Sequence, residues 1–417
     1  MLKKLPNKNL IKQFWLKRCY VLFKMFNQIS LKRKTNSVSF IPEIDGLRFF
    51  AIITVVLFHL NSALSKSLGY TASEGIDFLG GKYDVLQPGW CVIRLDLGVK
   101  VFFAISGFVL ALPFVRRGLL GVGKPIVIKD YFIRRLTRLE PPFVISLIFF
   151  SLVHVFLLDE PWAELQKDFW AGLFYLHGLV FGAPNPINPV TWSLEVEAQF
   201  YVLVPLLFWL IFRFSGNSIR VVAVLLLAIL SIYLKGIFTL SGNQQLGATI
   251  LAYFTNFSLG ILFAFLFVLD KQNWLKMKSY LYDLVGFSSV FLIFYFYKPQ
   301  HIWYNNVIFN LAVFIMMISA FKGKLFNYFF TRPWVYVIGG MCYSIYLLHY
   351  AFFHFLVPFT SKIQLGMGYK IDYLLQIIIA VPIMLIVTTL FYLLVERPCM
   401  DKDWPKRLKT FLFSQFH

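Results

Sequence analysis

Charge is scarce in this chain. Only 14% of its 417 residues are Asp, Glu, Lys or Arg, while 59% are hydrophobic and the mean hydropathy is +0.69. Soluble domains carry about a quarter charged residues, so a string of soluble domains is excluded and a multi-pass membrane protein is indicated. Cysteine is scarce too. Cys19, Cys91, Cys342 and Cys399 are scattered with no C-x-x-C pair, which argues against a disulfide framework and a zinc site. Acidic residues are missing from residues 1–40, which hold ten Lys/Arg and no Asp or Glu. No cleavable signal peptide is evident, because the first apolar run starts near residue 49 and is long enough to span. There is no internal repeat, and after "VERP" only residues 399–417 remain, so no second, soluble domain is expected.

What is present is a formal charge of +20. Nucleic acid is one partner such a charge can serve, but these basic residues sit in loops between apolar runs. That is the signature of membrane topology, and no nucleic-acid partner is expected. A span takes about 20 apolar residues, fewer when the flanks snorkel. Ten runs qualify: 49–64, 98–115, 140–158, 193–212, 221–240, 249–269, 282–297, 303–321, 335–357 and 373–395. The expected fold is therefore an all-α integral membrane bundle of about ten helices, with both termini cytosolic. In that topology the inner segments and Arg48 hold 31 Lys/Arg and the outer ones nine. This is the asymmetry of the positive-inside rule. The chain divides into a basic tail at 1–40, a transmembrane domain at 41–398 and a second basic tail at 399–417. The stretch "NLIKQFWLKRCYVLFKMF" in the first tail reads either as a helix on an anionic membrane surface or as a plain positive anchor.

The run "FWAGLFYLHGLVFG", 169–182, is short and Gly-broken and reads as a re-entrant or interfacial piece. Two outer loops are long, 65–97 and 159–192, and loops of that length between packed spans are where a substrate mouth is expected. The spans from 221 to 321 have short loops and few polar residues, and read as scaffold.

Five stretches carry chemistry. In "TVVLFHL", His59 puts an imidazole inside a span. Such a residue faces the bundle interior as a functional group or packs helices through a hydrogen bond, and alone the stretch leaves both open. Arg48 lies eleven residues earlier, roughly 16 Å along a helix axis; Asp45 and Gly46 read as a turn or cap before the helix. In "IKDYFIRRLTRLEPP", Arg134, Arg135 and Arg138 enter the third span, and Arg135 and Arg138 share a helix face. Guanidinium groups so placed suit a phosphate partner; on that stretch alone a positive-inside stop signal is the preferred reading. In "TWSLEVEAQFYVLVP", Glu195 and Glu197 enter a span, where uncompensated burial disfavours their charged form, and one can pair with a histidine. In "LGVKVFFAISGFVLA", Ser106–Gly107 reads chiefly as close packing, with a nucleophilic Ser106 a minor alternative. In "CYSIYLLHYAFFH", His349 lies at a depth comparable to His59. His154 and His177 have no supporting neighbours and read as structural. No group has metal-ligand spacing, so no metal is expected.

In order, "IDGLRFFAIITVVLFH", "GVKVFFAISGFVL", "YFIRRLTRLEPPF", "TWSLEVEAQFY", "CYSIYLLHY" and "VERP" resemble the successive signatures of the acyltransferase family 3 membrane proteins, over about residues 41 to 398. The resemblance implies O-acyl transfer from cytosolic acyl-CoA, usually acetyl-CoA, as co-substrate with no bound cofactor. The implied acceptor is a hydroxyl, here of a glycan or glycolipid facing away from the cytosol. It implies that Arg48 and His59 are the family's paired arginine and catalytic histidine, with ten residues between them as in the family. Arg135 and Arg138 match the cytosolic arginine pair thought to meet the donor. Glu197, rather than Glu195, falls on the "WSL-x-x-E" glutamate. Two positions depart from the pattern. Lys100 stands where many members have Asp in "GVD-x-FF", and Glu140 replaces an aromatic. No hydrolase-like domain of the kind some members append is seen, implying a stand-alone core.

The expectation is thus a bacterial plasma-membrane O-acyltransferase. His59 serves as general base or acyl carrier, Arg135 and Arg138 with Arg48 hold the donor, and Glu197 orients a histidine or contacts the acceptor. Arg134, Ser106 and His349 are secondary candidates. The rival is a glycan or lipid transporter or flippase using His59 and Glu197 as a proton relay; a catalytically dead relative is a third reading. Oligomeric state is left open.

Overall fold

A backbone in hydrocarbon has no water to satisfy its N–H and C=O groups, so each apolar run closes its own hydrogen bonds as helix. The computed structural model describes residue 31 and residues 40–122, 125–297, 303–401 and 404–405. The surface-helix reading of the first tail falls outside the described residues, as does most of the second tail. The major helices are α1 (Pro42–Ser67), α2 (Gly98–Leu120), α3 (Ile128–Leu157), α4 (Trp192–Ile211), α5 (Asn217–Leu240), α6 (Ile250–Leu269), α7 (Leu281–Phe296), α8 (Trp303–Lys322), α9 (Cys342–Thr360) and α10 (Tyr369–Phe391). Among the described residues, nine of these segments are long and apolar enough to cross a membrane and α7 is shorter. No strand occurs among them. The protein is an all-α integral membrane bundle.

Several boundaries differ from the sequence expectation. α1 starts at Pro42, whose missing N–H suits a first helical turn. Asp45 and Gly46 are therefore inside the helix, and the guanidinium of Arg48 bonds the Asp45 carboxylate, so Asp45 is not the cap. The span expected at 335–357 is two helices, Pro333–Gly340 and α9, parted at Met341. The break follows Gly339, where a Cβ would stand 1.8 Å from the Asp45 carbonyl oxygen. The first turns of α1 can approach this closely only because a hydrogen stands there. The 169–182 stretch lies within two short helices, Trp162–Leu173 and His177–Phe181.

Helices in lipid associate by packing rather than by hydrophobic burial, so small residues mark the tightest seams. α2 and α6 make such a seam. A Cβ on Gly107 would lie 2.1 Å from the Phe257 carbonyl oxygen, and one on Gly260 1.9 Å from that of Ala104. The close-packing role expected of Gly107 is thus realised. Phe200 and Phe257 stack across the α4–α6 contact at 4.1 Å.

The chain alternates direction, giving the bundle two ends. At one, here the arginine end, lie the starts of α1, α3 and α9 and the turn after α10. Trp404 donates its indole N–H to the Thr137 carbonyl there at 2.8 Å. At the other, the loop end, Ser65 and Tyr369 bond at 2.8 Å and Ser67 and Ser361 at 2.6 Å. The two long loops, 65–97 and 159–192, are built, not loose. Thr71 and Glu74 form a capping box on the helix Ala72–Phe78. His177 bridges Asp168 at 2.9 Å and the Ala183 carbonyl at 3.0 Å. His154 meets Glu160 at 3.0 Å. Both histidines therefore have the partners the sequence did not reveal, in loop-fastening roles.

Candidate active site

A cavity of about 110 Å³ runs inward from the arginine end and is lined by α1, α2, α3, α4, α9 and the turn after α10. Three guanidinium groups meet in it: Arg48 from α1, and Arg135 and Arg138 from one face of α3. Helical spacing explains the selection. Arg135 and Arg138 are three apart and point the same way, whereas Arg134 is exposed and absent from the lining. Arg135 packs over the rings of Tyr131 and Tyr201, 5.9 and 5.6 Å from their centroids. The Nε of Arg138 is buried and has no hydrogen-bond partner. The cavity lining thus sets three guanidinium groups against two carboxylates, Glu197 and Glu396, at a place where an anion's oxygens fit guanidinium donors.

Glu396 reaches the cavity from a π-helical turn, Tyr392–Glu396. Such bulges are frequent at functional sites, since one extra residue re-aims the side chains around it. Its Oε2 accepts from the Ser344 hydroxyl at 2.5 Å and the Ser344 N–H at 3.0 Å. Opposite, the Ser106 hydroxyl donates to Glu197 at 2.6 Å, and Tyr201 bonds the same carboxylate. Glu195, two residues earlier, faces away and accepts from the Gly178 N–H at 2.7 Å, so the two carboxylates do different work. The non-family Glu140 accepts from the Tyr175 hydroxyl at 3.0 Å. Burial, reinforced by Glu140, pushes that hydroxyl above the ordinary tyrosine range, making it a standing donor.

The cavity therefore unites Arg48, Arg135, Arg138, Ser106 and Glu197. It does not include His59 or His349. Those two form a second cluster, with ring centroids 5.2 Å apart. Tyr350 meets His59 edge-on at 5.1 Å and stacks near His354 at 4.2 Å. Tyr346 joins cluster and cavity. It lines the cavity, bonds Ser193 at 3.0 Å and the Val190 carbonyl, and holds its ring 6.4 Å from that of His349. His59 thus stands two rings behind the cavity wall.

Sequence reasoning gave no site role to Glu396, Tyr346, Tyr201 or Ser193. Glu396 carried a usable signal, an acid at the end of the apolar run 373–395. The two tyrosines and the serine carried none, because in a chain with 19% aromatics such residues are everywhere.

The sequence model of the acyltransferase domain family matches residues 41–393. O-acetyltransferase OatA of Staphylococcus aureus strain NCTC 8325 is 25% identical over 402 residues, covering 91% of this chain and 60% of that protein. OatA of strain COL gives the same figures, 25%, 91% and 60%. The chain thus spans about 60% of the length of these relatives. No solved structure matches it. With all six signature stretches inside one helical bundle and the family model covering most of the sequence, this chain belongs to the acyltransferase family 3.

Proposed function

We propose that this protein is an acyl-CoA-dependent O-acyltransferase of a bacterial plasma membrane. It would move an acyl group, acetyl by analogy with the relatives' name, to a hydroxyl of a glycan or glycolipid. The observation that carries this reading is the convergence of Arg48, Arg135 and Arg138 on one cavity. Guanidinium forks suit the phosphates of CoA, and the arginine end then faces the cytosol, where acyl-CoA is made.

In this mechanism the thioester arm enters past Ser106 and Glu197, and the acceptor arrives from the loop end. Imidazole is competent as a general base near neutral pH. His59 takes the proton from the acceptor O–H, the oxygen attacks the thioester carbonyl, and the C–S bond breaks. The CoA thiolate leaves and is protonated, so one ester and one thiol replace one thioester and one hydroxyl. Thioester and acceptor meet at the Tyr346 layer, which separates cavity from histidines. Glu197 supplies a polar contact on the acceptor side of the cavity.

The deciding experiment uses the full chain in proteoliposomes with acetyl-CoA and envelope glycan from the producing strain, stripped of esters by mild alkali. CoA thiol release should require the glycan and should be lost in a well-folded His59→Ala variant. Full activity in that variant would overturn the assignment of His59. A trapped acyl-imidazole would make His59 the acyl carrier instead of the base.

A further inference from the structure

His349 is fully buried, yet one of its ring nitrogens has no partner. Its Nδ1 lies 3.0 Å from the Ile345 carbonyl oxygen and 2.9 Å from that of Tyr346. Carbonyl oxygens only accept, so Nδ1 carries the proton. In a neutral ring Nε2 is then a bare lone pair. Nε2 is the buried atom without a hydrogen-bond partner, and leaving a buried acceptor unsatisfied is unfavourable. Helix α9 therefore holds a fixed acceptor of known tautomer at a stability cost.

The ring beside it is His59, with centroids 5.2 Å apart and planes at 50°. A general base needs its second nitrogen held by an acceptor that sets its tautomer and direction. Of the other rings packed against His59, Phe58 has no acceptor and Tyr350 lies T-shaped to it at 88°. Glu197, the carboxylate the sequence marked for this work, is occupied by Ser106 and Tyr201 in the cavity.

We propose that His349 is the positioning residue for His59: its Nε2 accepts the N–H of the His59 ring, leaving the other His59 nitrogen unprotonated toward the acceptor hydroxyl. The bond is not made in the free protein, as is common for catalytic hydrogen bonds that tighten only in the substrate complex. A small turn of the His59 ring closes it. Because the two α9 carbonyls fix Nδ1–H, His349 cannot change tautomer, so the direction of proton transfer through His59 is set.

This inference rests on the assignment of His59 as the base, and the test separates the two. In the glycan-dependent assay, His349→Asn keeps an amide near the Nδ1 position but has no acceptor at Nε2. Its kcat should fall about a hundredfold, with KM for acetyl-CoA and for the glycan unchanged. His349→Gln, whose amide oxygen reaches the Nε2 position, should recover about tenfold of that loss. In a His59→Ala background, His349→Asn should cost nothing further, as expected of residues acting as one unit. Wild-type kcat in His349→Asn alongside an inactive His59→Ala overturns the positioning role alone. Full activity in His59→Ala overturns the assignment beneath it. Should His349→Asn not fold, ¹⁵N-histidine spectra of the wild-type complex with acetyl-CoA and glycan decide. They should find a protonated His349 Nδ1 and a hydrogen bond into its Nε2, and a His349 Nε2–H overturns the proposal.

Discussion

Ser106 and Glu197, 91 residues apart in the chain, are joined by a 2.6 Å hydrogen bond from hydroxyl to carboxylate on the wall of the cavity. The bond ties α2 to α4 and fixes a carboxylate in the cavity proposed to take the donor's thioester arm. Removing the donor leaves a part-buried acceptor short of one partner, which costs at most about 1–3 kcal/mol. Ser106→Ala should therefore lower thermal stability in detergent and reduce acyl transfer without abolishing it. Complete loss of transfer in a folded Ser106→Ala protein would instead mark Ser106 as a nucleophile.

The arginine pair should act on donor affinity. Arg135→Ala with Arg138→Ala removes two of the three guanidinium groups lining the cavity. Charge-assisted hydrogen bonds contribute about 1.5–3 kcal/mol each, so KM for acetyl-CoA should rise at least tenfold while the topology holds. Reporter fusions check the topology. An inverted span would assign these arginines to orientation alone. Arg134→Ala, on the exposed side of the helix, should change KM little.

Glu396 should matter despite lying outside every mutational candidate that the sequence offered. Glu396→Gln keeps the shape but weakens the acceptor that Ser344 serves through both hydroxyl and N–H. A lower unfolding temperature together with a raised KM for acetyl-CoA is expected, since Arg138 is held beside this carboxylate. An unchanged KM would confine Glu396 to structure.

The α2–α6 seam should tolerate no side chain at Gly260. A Cβ there meets two backbone atoms of α2, at 1.9 and 2.2 Å, and backbone cannot move aside as a flexible side chain can. Gly260→Ala should give little folded protein, read as loss of the monodisperse peak in size-exclusion chromatography. Normal yield would mean the seam opens without cost.

The capping box of the loop at the start of Ala72–Phe78 predicts a pH effect. The Thr71 N–H and hydroxyl hold the Glu74 carboxyl below the ordinary carboxylate range. A group whose folded pKa is depressed stabilises above its unfolded pKa, and that contribution is lost as pH falls through the folded one. Amide protection in Ala72–Phe78, taken relative to the intrinsic exchange rate at each pH, should therefore be higher near pH 7 and fall below the normal Glu range. Thr71→Ala should abolish the difference between these two pH values.

The amino-acid sequence by itself determined the class of fold and marked ten apolar runs, nine of which are matched by helices long enough to span among the described residues. Both depend on local quantities: apolar runs of bilayer length and the need of each run to satisfy its own backbone. It also determined that Arg135 and Arg138 share a face and Arg134 does not, because helical spacing is local too. What only the tertiary structure decided is which polar side chains meet. His59 and Glu197 looked like partners, being ionisable groups in spans, yet Glu197 faces Ser106 in the cavity while His59 faces His349 behind Tyr346. The rotation and depth of a membrane helix are set by the neighbours it packs against, here through seams such as Gly107–Gly260 and the approach of Gly339 to Asp45. No window along one helix contains that information.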